Sequence, residues 1–239
     1  MILHPALILV LGALVLPWLP HRGARQATSL ALPLAALWAI WQVPDGSAWQ
    51  LHFLDYTLTP ARRRQTDAPV CHHLRANGRR WRPVRTAPGE PRGSAGGAFY
   101  AGSAIGVAFA GDLITVFIFW ELMAIGSTLV IWSAGSRAAY SASMRYLSIH
   151  LLGGVVLMAG IAGHVADTGS VAFTQVTPDS LASWLILAGF LINAGAPPLS
   201  AWLPDAYPEA SWSGTVFLSA FTTKTAVYVL LRGFPARKS

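Results

Sequence analysis

Residues 113–132 read Leu-Ile-Thr-Val-Phe-Ile-Phe-Trp-Glu-Leu-Met-Ala-Ile-Gly-Ser-Thr-Leu-Val-Ile-Trp, an apolar run interrupted by a single charge, Glu121. A helix of about 17–25 such residues spans the hydrocarbon of a bilayer. A second run, 211–231, holds one base, Lys224, and no other charge. An ionisable group at membrane depth costs roughly 2.5–3.5 kcal/mol on insertion scales. One acid and one base carried at that cost point to proton or ion movement, or to a pair that locks two helices. Working outward, candidate spans fall at 2–20, 27–43, 95–111, 113–133, 146–166, 182–200 and 212–232. The expected fold class is therefore an all-α polytopic membrane protein of about seven transmembrane helices.

Composition agrees. The 239 residues are 54% hydrophobic and 11% charged, with a mean hydropathy of +0.47. A soluble domain carries about 25% charge. The net charge of +7 is local, because nine arginines lie in one stretch: Arg62, Arg63, Arg64, Arg75, Arg79, Arg80, Arg82, Arg85 and Arg92. With sparse aromatics there and no nucleic-acid fold, no nucleic-acid partner is expected. A single cysteine, Cys71, excludes an internal disulfide. Cys71-His72-His73 lacks a fourth ligand, so no metal is expected. No haem, iron–sulfur or dinucleotide motif is present, so no cofactor is expected either. The N-terminus does not read as a signal peptide, having no base before the apolar run and no small-residue cleavage site at Trp18-Leu19-Pro20. Arg22 and Arg25 follow the first run, which places the N-terminus outside.

The segment 61–98 stands apart. It is rich in Arg, Pro and Gly, has no helical or strand period, and reads as irregular. Two preceding spans would put its arginines outside, against the positive-inside tendency. One more span between 60 and 95 would restore the balance. The segment is therefore expected to be out of frame and to replace a lost helix. Residues 1–60 read as a two-helix segment, and 99–239 as a bundle of five.

Within the bundle, Glu121 shares a helical face with Phe117, Ala124, Ile125 and Thr128, and must look inward. Lys224 shares a face with Ala220, Phe221 and Tyr228. His150, inside 146–166, either relays protons or donates one interhelical hydrogen bond. His164 lies nearer a helix end. Pro197-Pro198 removes two backbone donors and is expected to break the helix near that point. Broken helices at membrane depth line polar cavities or are buried in protein. Asn193 lies one turn earlier. Asp205 and Glu209 read either as a channel mouth or as a solvated acidic helix start. Ala98, Gly102, Gly106 and Ala110 form a stripe that lets helix backbones approach.

Three strings in order carry a family resemblance: Gly111-Asp112-Leu113 through Trp120-Glu121-Leu122-Met123, Trp202-Leu203-Pro204-Asp205-Ala206-Tyr207-Pro208-Glu209-Ala210, and Thr223-Lys224-Thr225-Ala226-Val227-Tyr228. They resemble the proton-conducting membrane subunits shared by Mrp-type Na+/H+ antiporters and respiratory complex I, and most of all the D-type subunits of those antiporters. The resemblance covers 99–235 well and 1–60 loosely. It implies a 14-helix fold of two inverted five-helix repeats, of which 95–232 would be one half-channel. It also implies proton-relay roles for Glu121 and Lys224. Most relatives carry a lysine where Asn193 stands, nine residues before Trp-Leu-Pro, and many have histidine at the position of Tyr207. The asparagine cannot carry charge, which counts against a standard Glu–Lys switch. Three readings follow. The chain is a membrane subunit of a multisubunit Na+/H+ antiporter in a bacterial inner membrane, working beside other membrane subunits. Or it is the proton-translocating subunit of an NADH:quinone oxidoreductase or a related redox or carbon-uptake complex. Or it is a fragment that does not transport alone. Reading the gene across codons 55–100 in all three frames is expected to reveal an apolar span of about 20 residues in another frame; a sound native frame there would sink the idea.

Overall fold

The computed structural model describes residues 4–43, 48–53, 56–62 and 91–234. In chain order these form α1 (Pro5–Val15), a 3-10 turn (Leu16–Trp18), α2 (Arg22–Gln42), β1 (Ala48–Phe53), β2 (Tyr56–Arg62), α3 (Pro91–Phe109), α4 (Leu113–Trp132), α5 (Arg137–Thr168), α6 (Leu181–Ala194), a 3-10 turn (Leu199–Ala201), α7 (Trp202–Glu209), α8 (Trp212–Ala220) and α9 (Thr222–Gly233). Among the described residues, Leu113–Trp132, Arg137–Thr168, Leu181–Glu209 and Trp212–Gly233 are long and apolar enough to cross a membrane, and Pro5–Trp18 and Ala95–Phe109 are shorter apolar helices. The helical membrane fold expected from the sequence is thus present.

Helix boundaries follow local chemistry. Asp112 caps α4 by accepting from Thr115 N, and Ser136 caps α5 by accepting from Ala139 N. Ser180 and Ser183 form a reciprocal capping box at the start of α6. Gly195 ends α6 with φ 71°, a left-handed conformation that side chains rarely adopt. The expected break near Pro197 follows: α6 stops at Ala194 and helix resumes at Trp202. The buried centre is aromatic, with Trp120, Trp202, Tyr100, Tyr146, Phe173 and Phe190 fully enclosed. The small-residue stripe does the packing expected of it. A Cβ on Gly102 would lie 2.8 Å from Leu9 Cβ and 3.0 Å from the Ala6 carbonyl, so α1 and α3 touch backbone to backbone.

Three features depart from the sequence reading. Residues 1–60, read as two helices, also carry β1 and most of β2, an antiparallel hairpin pairing Phe53 with Tyr56. Its signal was the alternation around Tyr56-Thr57-Leu58-Thr59, where Leu58 turns inward. Residues 91–98, read as irregular, are the first turns of α3. The rest of that segment from residue 63 to 90, with Cys71, His72 and His73, lies outside the described residues. Third, the span 212–232 is broken at Phe221, without proline or glycine.

The hairpin is fastened to the end of the bundle. Gly111 N donates to the Thr59 carbonyl at 2.8 Å, Leu113 N to Val171 O at 2.8 Å and Phe173 N to Gly111 O at 3.0 Å. The Asp112 carboxylate accepts from Thr59 N at 2.7 Å, Thr115 N at 2.7 Å and the Thr115 hydroxyl at 2.8 Å. His4 donates from Nε2 to the Pro60 carbonyl at 3.1 Å and accepts at Nδ1 from Ala6 N at 3.1 Å. Asp112 is buried, so Asp112→Ala strands the Thr59 and Thr115 donors. Leaving a buried donor unsatisfied costs about 1–3 kcal/mol. Thermal unfolding of Asp112→Ala is expected at lower temperature, with residues 56–62 newly open to protease; unchanged unfolding would refute this role.

Candidate functional site

Five buried polar atoms on three neighbouring helices lack a hydrogen-bond partner: Trp120 Nε1 and Glu121 Oε1 on α4, His150 Nε2 on α5, and Nδ2 and Oδ1 of Asn193 on α6. Two glycines bring them together. A Cβ on Gly154 would overlap Glu121 Oε1 and lie 2.7 Å from its Cδ. A Cβ on Gly153 would lie 3.2 Å from Asn193 Oδ1. Adjacent glycines on α5 thus receive a carboxylate from one side and an amide from the other. His150 stands on the same helical face, three and four residues earlier. Glu121 is half-buried; of the residues expected to share its inward face, Ala124 and Thr128 are buried and Ile125 is exposed. The Thr128 hydroxyl donates to the Ala124 carbonyl of its own helix at 2.7 Å, so it is not aimed at Glu121.

His150 is held firmly. Its Nδ1 bonds the Tyr146 carbonyl at 2.9 Å. A carbonyl only accepts, so Nδ1 carries the hydrogen, and in a neutral ring Nε2 is left as an acceptor. The ring stacks on Tyr146 at 3.8 Å and meets the edge of Trp202 at 4.7 Å. Asn193 sits in the last turn of α6, fully buried. Beyond the break, Trp202 Nε1 donates to Ile192 O at 3.2 Å and ties α7 back to α6. A buried polar group without a partner costs about 1–3 kcal/mol. Such groups gather where a protein holds ordered water or moves charge. A carboxyl, an amide and an imidazole acceptor are together able to hand a proton on through water.

Lys224 is not part of this cluster. The sequence placed it on one continuous helix, on a face with Ala220, Phe221 and Tyr228. Lys224 lies in the first turn of α9, beyond the break at Phe221 (φ −115°, ψ −65°), with its side chain exposed, as is Ala220 one turn before it. Among the described residues no ion pair joins it to Glu121, so the static pair is not formed. Pro197 and Pro198 lie in the segment between α6 and α7. Asp205 forms a two-pronged ion pair with Arg145 of α5, with Nε to Oδ2 at 2.8 Å and Nη2 to Oδ1 at 2.6 Å. Glu209 is half-buried at the end of α7 rather than at a helix start, and His164 is half-exposed near the end of α5. Among the described residues no His, Cys, Asp or Glu grouping suits a metal ion. Gly153 and Gly154 were missed. Their spacing from His150 was the available signal.

A family model described as NADH:quinone oxidoreductase/Mrp antiporter, TM, matches residues 110–238. NADH-quinone oxidoreductase subunit M of Pseudomonas aeruginosa is 31% identical over 152 residues, covering 55% of this chain and 30% of its own length. The chain therefore spans less than a third of that relative. A subunit of the membrane-bound sulfane sulfur reductase, an archaeal respiratory membrane complex, superposes with a TM-score of 0.81 at 21% identity, covering 95% of this chain and 40% of its own. A chain of the Mrp complex from Dietzia superposes with a TM-score of 0.66 at 24% identity, covering 96% of this chain and 44% of its own. Both share the fold.

The glycine cradle is open to test with a hydrophobic carbodiimide, which attacks protonated carboxyls in apolar surroundings. Glu121 is expected to be the labelled acid within α4, and Gly154→Val to cut that labelling severalfold by displacing the carboxyl. Equal labelling in a folded Gly154→Val protein would show that the carboxyl does not rest there.

Proposed function

Because this chain belongs to the NADH:quinone oxidoreductase/Mrp antiporter transmembrane family, we propose that it is a proton-translocating membrane subunit whose relay begins at Glu121. The observation that carries the reading is the buried Glu121 Oε1 without a partner, set against the bare backbone of Gly154. Bare backbone gives the carboxyl room to be hydrated and reprotonated. Glu121 takes up a proton and releases it through water held between the Asn193 amide and His150 Nε2. Asn193 serves here as a neutral hydrogen-bonding group, able both to donate and to accept. Lys224, on the exposed face of α9, is the exit of this half. Residues 99–239 act as a half-channel, and transport belongs to the assembly with other membrane subunits in a bacterial cell membrane.

The finer reading is a subunit of a multisubunit Na+/H+ antiporter, with protons and Na+ as the transported ions. It is supported by the three motif strings and by the shared fold with the Mrp complex chain. A second reading, a subunit of an NADH:quinone oxidoreductase, is favoured by the 31% identity to a relative of that name. Electron transfer would then reside in partner subunits. Of the segment 61–98, residues 63–90 remain, in our reading, an out-of-frame replacement of a helix.

The test is dissipation of a pH gradient in proteoliposomes holding the chain with its co-purified subunits. Glu121→Gln is expected to slow the flux at least tenfold, within the range of about 10²–10⁴ that a positioned proton-transfer group contributes. Flux that depends on Na+ selects the antiporter, and flux driven by NADH oxidation selects the redox complex. Wild-type flux in Glu121→Gln would refute the relay.

A further inference from the structure

His4, at the start of α1, is a buried histidine whose protonation state can be read from its partners. It is 3% exposed. A carbonyl only accepts, so the bond to Pro60 O at 3.1 Å puts a hydrogen on Nε2. An amide N–H only donates, so the bond from Ala6 N at 3.1 Å makes Nδ1 a bare acceptor. The ring is therefore neutral, and both of its nitrogens are committed to backbone. One bond caps α1, and the other reaches β2, 56 positions along the chain. The ring also stacks on Phe119 of α4, with centroids 5.8 Å apart, and meets Trp49 of β1 edge to face at 5.5 Å. A single imidazole thus joins α1, both strands of the hairpin and α4. None of its partners belongs to the relay.

We propose that His4 is an acid-sensitive latch: neutral, it fastens the start of α1 to the hairpin, and protonation breaks the join on its α1 side. A proton added at Nδ1 turns the acceptor into a donor that faces the N–H of Ala6, so the cap is lost. The cation would also stand at the positive end of the α1 dipole, enclosed by protein, where a charge needs a partner. The ionisable groups on the described elements around it offer none. On the hairpin, Tyr56, His52 and Arg62 are exposed, and His52 bonds the Thr57 hydroxyl at 3.3 Å. On α4, Asp112 is committed to Thr59 and Thr115, and Glu121 rests against Gly154 of α5. On α2 and α3, Arg22, Arg25 and Arg92 fall in the first turns, a helix length from His4, and Tyr100 accepts from Thr222 N. Helix α1 itself carries no charge. An imidazole free of the fold titrates near about 6.5. The join is therefore fully made above that pH and is lost as the pH falls below it. Asp112 keeps its own hold on Thr59, so the hairpin is loosened rather than detached. Acidity is in this way registered at the end of the bundle where α4, the helix of Glu121, begins.

Hydrogen exchange on the full chain in detergent micelles, resolved by mass spectrometry and corrected for the intrinsic effect of pH, follows the first turn of α1 and residues 48–62. Protection of the α1 turn is expected to fall by roughly threefold to thirtyfold, the factor that an N-cap contributes, between about pH 7.5 and about pH 5, either side of the ordinary histidine range. The hairpin should lose protection with it. His4→Asn keeps a capping oxygen but does not titrate, so its protection should be flat across that range, whatever its level. His52→Gln, which removes the exposed histidine of the hairpin, should keep the parental slope. A flat parental profile overturns the proposal. So does a slope that His4→Asn retains or that His52→Gln abolishes. Should His4→Asn not fold, nitrogen NMR of the parental chain labelled at histidine decides the matter. Nδ1 of His4 should take up its proton in step with the loss of protection; a ring that stays neutral while protection falls overturns the latch. Neither measurement depends on proton flux, so the relay reading and the latch stand or fall separately.

Discussion

A carboxylate oxygen enclosed by protein, with no donor in reach, is the constraint around which the bundle is arranged. In hydrocarbon no bulk water is present to pair a stray polar group. The chain answers by lining up further polar atoms rather than by covering the acid. Gly154 leaves bare backbone for Glu121 and Gly153 leaves it for Asn193, so both groups approach the same turn of α5. Tyr146 and Trp202 clamp His150 so that its free nitrogen has a fixed heading. The α6 break leaves Asn193 in a final turn, where a buried amide is close to backbone freed from the helical ladder. Each of these choices raises the energy of the bundle, and each makes sense beside the others.

The two interruptions in the helices are made by different physics. The one after Ala194 is local. Gly195 ends the helix in a left-handed turn, and the prolines that follow cannot continue it. The one at Phe221 is tertiary, because the Thr222 amide donates to the Tyr100 hydroxyl and the Leu218 carbonyl accepts from Tyr207, both on other helices. A local break forms wherever its sequence is placed. A tertiary break lasts only while the neighbours that hold it stay put.

That difference decides what could be read from the chain alone. Glu121 and the break near Pro197 were legible, because a lone acid in an apolar run and a pair of prolines act over a few residues. Helical periodicity set Glu121 with Ala124 and Thr128, which are buried, but also with Ile125, which is exposed. The break at Phe221 was not legible, because the Thr222 amide pairs with the hydroxyl of Tyr100, 122 positions away. No window along the sequence contains that contact. The hairpin was missed for a related reason. Its inward residues, Leu58 and Ala61, are few, and its attachment runs through Asp112, far along the chain. The glycine pair Gly153-Gly154 was missed, since its meaning lies in what α4 and α6 place against it.

The length of α5 carries a last consequence. Its 32 residues measure about 48 Å at roughly 1.5 Å per residue. The hydrocarbon of a bilayer is about 30 Å thick. The helix therefore protrudes at both ends, which suits Arg137 at one and Asp167 at the other, and leaves Arg145 near the boundary beside its carboxylate partner. The midpoint of Arg137–Thr168 falls between residues 152 and 153. The cradle for Glu121 and Asn193 thus lies at the middle of α5, with similar spans of helix on either side. A thinner or thicker bilayer would trim or extend the immersed stretch at both ends. The depth of the acid would scarcely change, because α5 acts as a ruler read from its middle.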